Sequence, residues 1–112
     1  MDIFERNYLG EKLGYSLNNQ GYLEIPNSCN KLKIDVGLSY DAPNALNWLR
    51  ADPSVFVLGI EPIIEQVHSL KIQLSKCKQD LIPRFAILNC ALGEFPNYMY
   101  LNIPKNMENL VF

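Results

Sequence analysis

The chain of 112 residues is 48% hydrophobic and 20% charged, which suits one domain with its own core and excludes a disordered polymer. A formal net charge of -2 argues against a non-specific nucleic-acid binder, which needs a basic surplus. No apolar run approaches the ~20 residues of a membrane helix, so no membrane partner is expected. The mixed-charge start Met1-Asp2-Ile3-Phe4-Glu5-Arg6 has no signal-peptide core, which points to the cytoplasm.

The first segment carries Gly10, Gly14, Asn18, Asn19 and Gly21 and reads as irregular, with a weak helix signal over Ile3–Leu9. Gly21–Pro26 reads as a short strand stopped by proline, and Pro26–Asn30 as a turn-rich linker. This divides the chain into an irregular segment at 1–30 and an α/β segment at 31–112. Leu32–Val36 is the first expected core strand. Asp41, Ala42 and Pro43 open a helix, with Asp41 as its cap, and Ala45, Leu46 and Leu49 form its apolar face. Pro53 ends it.

Val55–Ile60 is apolar at nearly every position, the pattern of a strand buried on both faces of a parallel sheet. Pro62 starts a longer expected helix, with Ile63, Val67, Leu70 and Leu74 on one face. Asp80–Pro83 breaks it. Phe85–Leu88 is a third core strand, and its apolar character continues toward Leu92. Gly93, Glu94, Pro96 and Asn97 mark a turn, and Tyr98–Ile103 a fourth strand. Strands alternating with helices imply parallel pairing, with ligands at the carboxyl ends of the strands.

Three cysteines, Cys29, Cys77 and Cys90, with no Cys-x-x-Cys spacing, support neither a zinc site nor a disulfide framework, and no metal is expected. His68, the single histidine, reads as a helix-surface residue. Chemistry concentrates instead at two strand ends. Asp35-Val36-Gly37 closes the first strand and Glu61 follows the second. Glycine admits close backbone approach of a ligand, and an acid at the next strand tip can accept hydrogen bonds from ribose hydroxyls, as a nucleotide-type cofactor requires. Each residue also has a structural alternative. Gly37 can be a turn glycine, Glu61 a helix cap before Pro62, and Asp35 a carboxylate accepting loop N–H bonds. Ser39 can hold a ligand carboxylate or complete the turn. Asp41 can meet a ligand ammonium or cap the helix.

Asp35-Val36-Gly37, Ile60-Glu61-Pro62 and Ala91-Leu92-Gly93-Glu94, in this order, resemble class I S-adenosylmethionine-dependent methyltransferases, most closely the FkbM-like branch. The resemblance covers about residues 30–103. It implies that Asp35 and Gly37 lie under the methionine part of S-adenosylmethionine, which would make the carboxylate and ammonium of that part the groups Ser39 and Asp41 could meet. It also implies that Glu61 holds the ribose hydroxyls and that Cys90 and Ala91 border the adenine. The expected reaction is methylation, onto an oxygen of an unidentified acceptor. Two departures stand against it: no glycine follows Gly37 in Leu38-Ser39-Tyr40-Asp41-Ala42-Pro43, and a later Asp-x-Glu-Gly-like segment is missing. The expected architecture is therefore an α/β, Rossmann-like parallel sheet with flanking helices, incomplete and open to self-association through an exposed sheet edge. A non-catalytic interaction module is the main rival. A nicotinamide enzyme is disfavoured because Gly-x-Gly-x-x-Gly is absent.

Overall fold

A computed structural model describes residues 20, 22–77, 79–90, 101–102 and 109–111. In chain order the elements are β1 (Leu23–Glu24), β2 (Lys31–Val36), α1 (Pro43–Ala51), β3 (Val55–Ile60) and α2 (Ile64–Cys77). A 3-10 helix (Gln79–Arg84), β4 (Phe85–Leu88), β5 (Leu101–Asn102) and β6 (Asn109–Val111) follow. The fold is α/β, with a parallel sheet and interleaved helices. The main sheet has the order β4-β3-β2-β6, and β1 pairs with β5 in a separate two-stranded sheet. All pairings are parallel, with Val36 opposite Ile60 and Ile60 opposite Leu88.

The strand order explains where a ligand site can form. The chain steps outward from β2 to β3 to β4, then returns to the far side of β2 as β6. The direction of winding therefore reverses at β2, and in parallel α/β sheets ligands bind outside the carboxyl ends of the strands at such a reversal. Asp35 and Val36 end β2 at this place.

Side-chain alternation sorts the sheet into two faces. Val55 and Val57 of β3, with Phe85 and Ile87 of β4, face a core built with Ala45, Leu46 and Leu49 of α1 and Val67, Leu70 and Leu74 of α2. Phe56, Leu58 and Ile60 face the opposite side, where Leu23, Ile25 and Cys29 cover them. β3 is accordingly buried at all of its positions, as its unbroken apolar run predicts.

β2 departs from that apolar pattern, and α1 is the reason. Leu32 and Ile34 join the second core, while Lys31, Lys33 and Asp35 alternate with them. Each of these three polar residues meets a different level of α1. Lys31 Nζ pairs at 2.6 Å with Asp52, the residue that caps the carboxyl end. Lys33 Nζ lies 5.0 Å from the centre of the Trp48 ring, midway along the helix. Asp35 accepts a hydrogen bond from the Ala45 N–H in the first turn. The anion thus stands at the positive end of the helix and a cation at the negative end, matching the helix dipole. The polar positions of β2 align α1 along the strand.

Two expectations are corrected. Asp41 is not the cap of α1. The capping position is Ala42, in a left-handed conformation (φ 44), with no side-chain capping bond. Asp35 supplies the missing acceptor from β2, a tertiary substitute that local sequence does not reveal. Ile63 does not belong to the buried face of α2. It precedes the helix and is 47% exposed, whereas Val67, Leu70 and Leu74 are buried. The expected break around Asp80–Pro83 is present: α2 ends at Cys77, and the stretch that follows is a 3-10 helix.

Within the expected strand at Tyr98–Ile103, Leu101–Asn102 is a strand, but it pairs with β1 outside the main sheet. The place beside β2 goes to β6, which the sequence reading did not mark. The remainder of Tyr98–Ile103, the Gly93–Asn97 turn and the helix signal at Ile3–Leu9 lie outside the described residues. β4 ends the hydrogen-bonded order, yet Phe85, Ala86, Ile87 and Leu88 are each 0% exposed.

Candidate functional site at the carboxyl end of the sheet

The Gly37 N–H donates to Ile60 O at 2.8 Å, extending the β2–β3 pairing one step beyond Val36. The chain then turns sharply. Gly37 has φ 80, a conformation costly to any residue with a Cβ. Among the described residues, and apart from its chain neighbours, no atom lies within 4 Å of where a Cβ of Gly37 would stand, so these residues leave the space above this backbone open. The turn drives Leu38 inward, where it is 1% exposed. Leu38 lies directly on Gly59: a Cβ at Gly59 would come 2.6 Å from Leu38 Cδ1. The absence of a side chain at 59 leaves room for Leu38, which would have to shift if Gly59 carried a Cβ. Ser39 follows with φ 68, a second left-handed residue, and here without the freedom of glycine.

Glu61 leaves the end of β3 and is 3% exposed. Its Oε1 accepts the Ser39 backbone N–H at 2.9 Å, and its Oε2 accepts the Ile63 N–H at 3.0 Å. With its amide nitrogen turned toward the carboxylate, Gln66 donates to Oε1 at 3.0 Å and Oε2 at 3.2 Å. The Glu61 N–H donates to Leu88 O at 3.0 Å, and Asn89 Nδ2 donates to Glu61 O and Pro62 O at 3.1 Å each. One carboxylate therefore ties the β2–α1 loop to the β3–α2 loop, and Asn89 fastens the latter to the end of β4. Gln73 on α2 adds a further tie, donating from Nε2 to Tyr40 O at 2.9 Å.

The structure thus brings Gly37, Ser39 and Glu61 together, with Asp35 buried just beneath at the start of α1. Asp41 is half-buried in the same loop. Cys90 is buried in the second core, and its N–H donates to Leu88 O at 3.1 Å. Ala91 lies outside the described residues. Tyr40 is 59% exposed. His68 is exposed on α2. Among the described residues no group of three His, Cys, Asp or Glu side chains comes together as a metal site. None of the described helices is long and apolar enough to cross a membrane.

Sequence reading did not find Gln66, Gln73 or Asn89. All three act through amide donors aimed at a carboxylate or at backbone carbonyls. A glutamine in the first turn of a helix that follows Glu61 is the one local signal that was available.

Burial pushes the Asp35 carboxyl above its ordinary value of 3.8, against the opposing Ala45 N–H bond. A raised native pKa means that the folded state favours the protonated form. The stability change is then favourable as pH falls from neutral through the native pKa toward 3.8, and is lost as pH rises. Asp35→Asn keeps an oxygen for Ala45 and removes the buried charge. It is expected to melt higher than the wild type at neutral pH, with the difference shrinking as pH falls. Melting curves of both proteins across this range check the sign. A variant that melts lower at neutral pH would show that the charge at the helix start outweighs its desolvation. Asp52 behaves in the opposite sense. Hydrogen bonds from Lys31 and Ser54 hold it well below the usual carboxylate range, so its contribution persists until pH falls beneath that range.

Fold and site together define a class: a parallel α/β domain with a glycine turn and a buried acid at the topological switch point. No family model matches the chain, and no curated protein or solved structure matches it either.

Proposed function

We propose that the chain is the S-adenosylmethionine-binding part of a methyltransferase acting on an oxygen acceptor. The observation that carries this reading is the juxtaposition of Gly37, at φ 80 beneath open space, with Glu61 at the end of the neighbouring strand. Open backbone at the switch point accommodates the amino-acid portion of such a ligand. A carboxylate on the next strand suits a vicinal diol, to which it makes charge-assisted hydrogen bonds. The sulfonium of the bound cofactor supplies the electrophilic methyl group, so the protein's own part is alignment of the acceptor. The absence of a second glycine after Gly37 argues against a pyrophosphate-binding turn, and hence against a nicotinamide cofactor.

A second reading is favoured by one specific observation. Both Glu61 oxygens already accept protein N–H groups, and the side chain is almost wholly buried. In a non-catalytic interaction module that role would be complete in itself. Thermal melting with S-adenosylmethionine, S-adenosylhomocysteine or a nicotinamide dinucleotide separates the readings. A ligand at ~100 times its Kd should stabilise the protein by about 2.7 kcal/mol. A shift with the two S-adenosyl compounds alone supports the first reading. No shift with any ligand leaves the module, and a shift with the dinucleotide alone would overturn both.

A further inference from the structure

The bond from Ser39 N–H to Glu61 has a consequence for how a ligand could reach the acid. A carboxylate has about four acceptor positions, and here Ser39, Ile63 and Gln66 all draw on them. A diol needs both oxygens, so at least one protein donor must leave first. Ile63 belongs to the segment that leads out of Glu61 itself, two residues on, and moves with it. Ser39 is 22 residues away on a different loop. It is also the donor whose own backbone favours departure. Ser39 (φ 68) and Ala42 (φ 44) both carry the Cβ penalty of the left-handed region, and both could relax if the loop lifted. Several contacts oppose that lifting: Leu38 packed on Gly59, Ser39 N–H on Glu61, Gln73 Nε2 on Tyr40 O, and Ala42, buried in the core with its carbonyl accepting the Leu46 N–H at 3.0 Å.

We infer that the Leu38–Ala42 loop is a latch. Closed, it occupies Glu61 through the Ser39 N–H; opened, it surrenders the acid to a ligand bearing a vicinal diol. This inference rests on the cofactor reading for the identity of the ligand, and on the described geometry alone for the latch. The binding-competent state is then a minority state, and the apparent affinity is reduced by its population. Gln73 controls that population without touching Glu61. It sits on α2 and grips the loop only through Tyr40 O.

The test uses Gln73→Ala, which favours helix and removes one loop tie. Amide hydrogen exchange by NMR reads the latch without any ligand. The Ser39 N–H is expected to be protected in the wild type and to exchange roughly 3- to 10-fold faster in the variant, the factor for one neutral hydrogen bond, with Ile63 unchanged. Calorimetric titration with S-adenosylmethionine is expected to show the variant binding tighter by a similar factor, with Ser39 protection lost on saturation and Ile63 protection kept. Equal Ser39 exchange in the two proteins would overturn the latch whether or not the ligand binds. Equal affinities despite faster exchange would overturn its role as a gate. Binding by neither protein, with the exchange difference present, would overturn the cofactor reading and the ligand half of this inference, while upholding the latch.

Discussion

Arg84→Met is expected to lower the unfolding free energy by about 3 kcal/mol, the loss of two or more charge-assisted hydrogen bonds. Arg84 ends the 3-10 helix and reaches across to carbonyls of two other elements. Its Nη1 donates to Asp52 O at 3.1 Å and Val55 O at 2.9 Å, and its Nη2 donates to Leu49 O at 2.9 Å. These oxygens surround the carboxyl end of α1 and the start of β3. The last four carbonyls of a helix have no partner within it, and a cation there also opposes the negative end of the dipole. Methionine preserves the aliphatic reach, so the loss isolates the donors. Arg84→Lys has one compact ammonium in place of a planar fork and should recover about a third of the difference. Trp48 is the sole tryptophan and lies on α1, so its fluorescence follows urea unfolding at the helix concerned. At a typical urea dependence for a chain of this size, the midpoint should fall by about 2 M. A midpoint within about 0.3 M of wild type would mean that water serves those carbonyls equally well.

What the sequence revealed was what local pattern encodes. β3 is apolar throughout because both of its faces are covered, and its run of six residues can be read directly. The same holds for Val67, Leu70 and Leu74, whose spacing is that of one helical face. Features that depend on another element were not legible. Asp41 carried the local chemistry of a cap, but the acceptor for α1 comes from Asp35 on β2. Ile63 fitted the helical period, yet its N–H serves Glu61 and its side chain stays outside the core. Arg84 acts on backbone carbonyls, which have no signature in sequence. β6 contributes only Asn109–Val111 to the sheet, too short a run for periodicity to mark. Within the candidate site, the position of Glu61 at a strand tip was legible because strand ends are. Its attachment to Ser39 was not, because that bond depends on a left-handed turn through Ser39, a residue with no marked preference for it.

That attachment sets the expected behaviour of Glu61 substitutions. Glu61→Ala leaves the Ser39 and Ile63 backbone N–H groups, and the Gln66 amide, without their shared acceptor, in a place where the carboxylate was 3% exposed. Two charge-assisted bonds of about 1.5 kcal/mol each give an expected loss near 3 kcal/mol. Glu61→Gln is almost isosteric and would ordinarily be the gentler change. Here Oε1 and Oε2 each face an N–H donor, so one end of the new amide must present its own N–H groups to a donor. Gln is therefore expected to recover less than half of the loss caused by Ala, whichever way the amide is turned. Urea unfolding of the two variants checks this. A Gln variant as stable as wild type would show that the two loops do not depend on the negative charge. If S-adenosylmethionine binds, the same Gln variant should also bind it more weakly by about 1–3 kcal/mol, measured well below the variant's melting temperature so that folding does not contribute. Loss of stability with unchanged affinity would assign Glu61 to the loops alone. Loss of both would mean that one carboxylate serves the loop when the site is closed and the ligand when it is open.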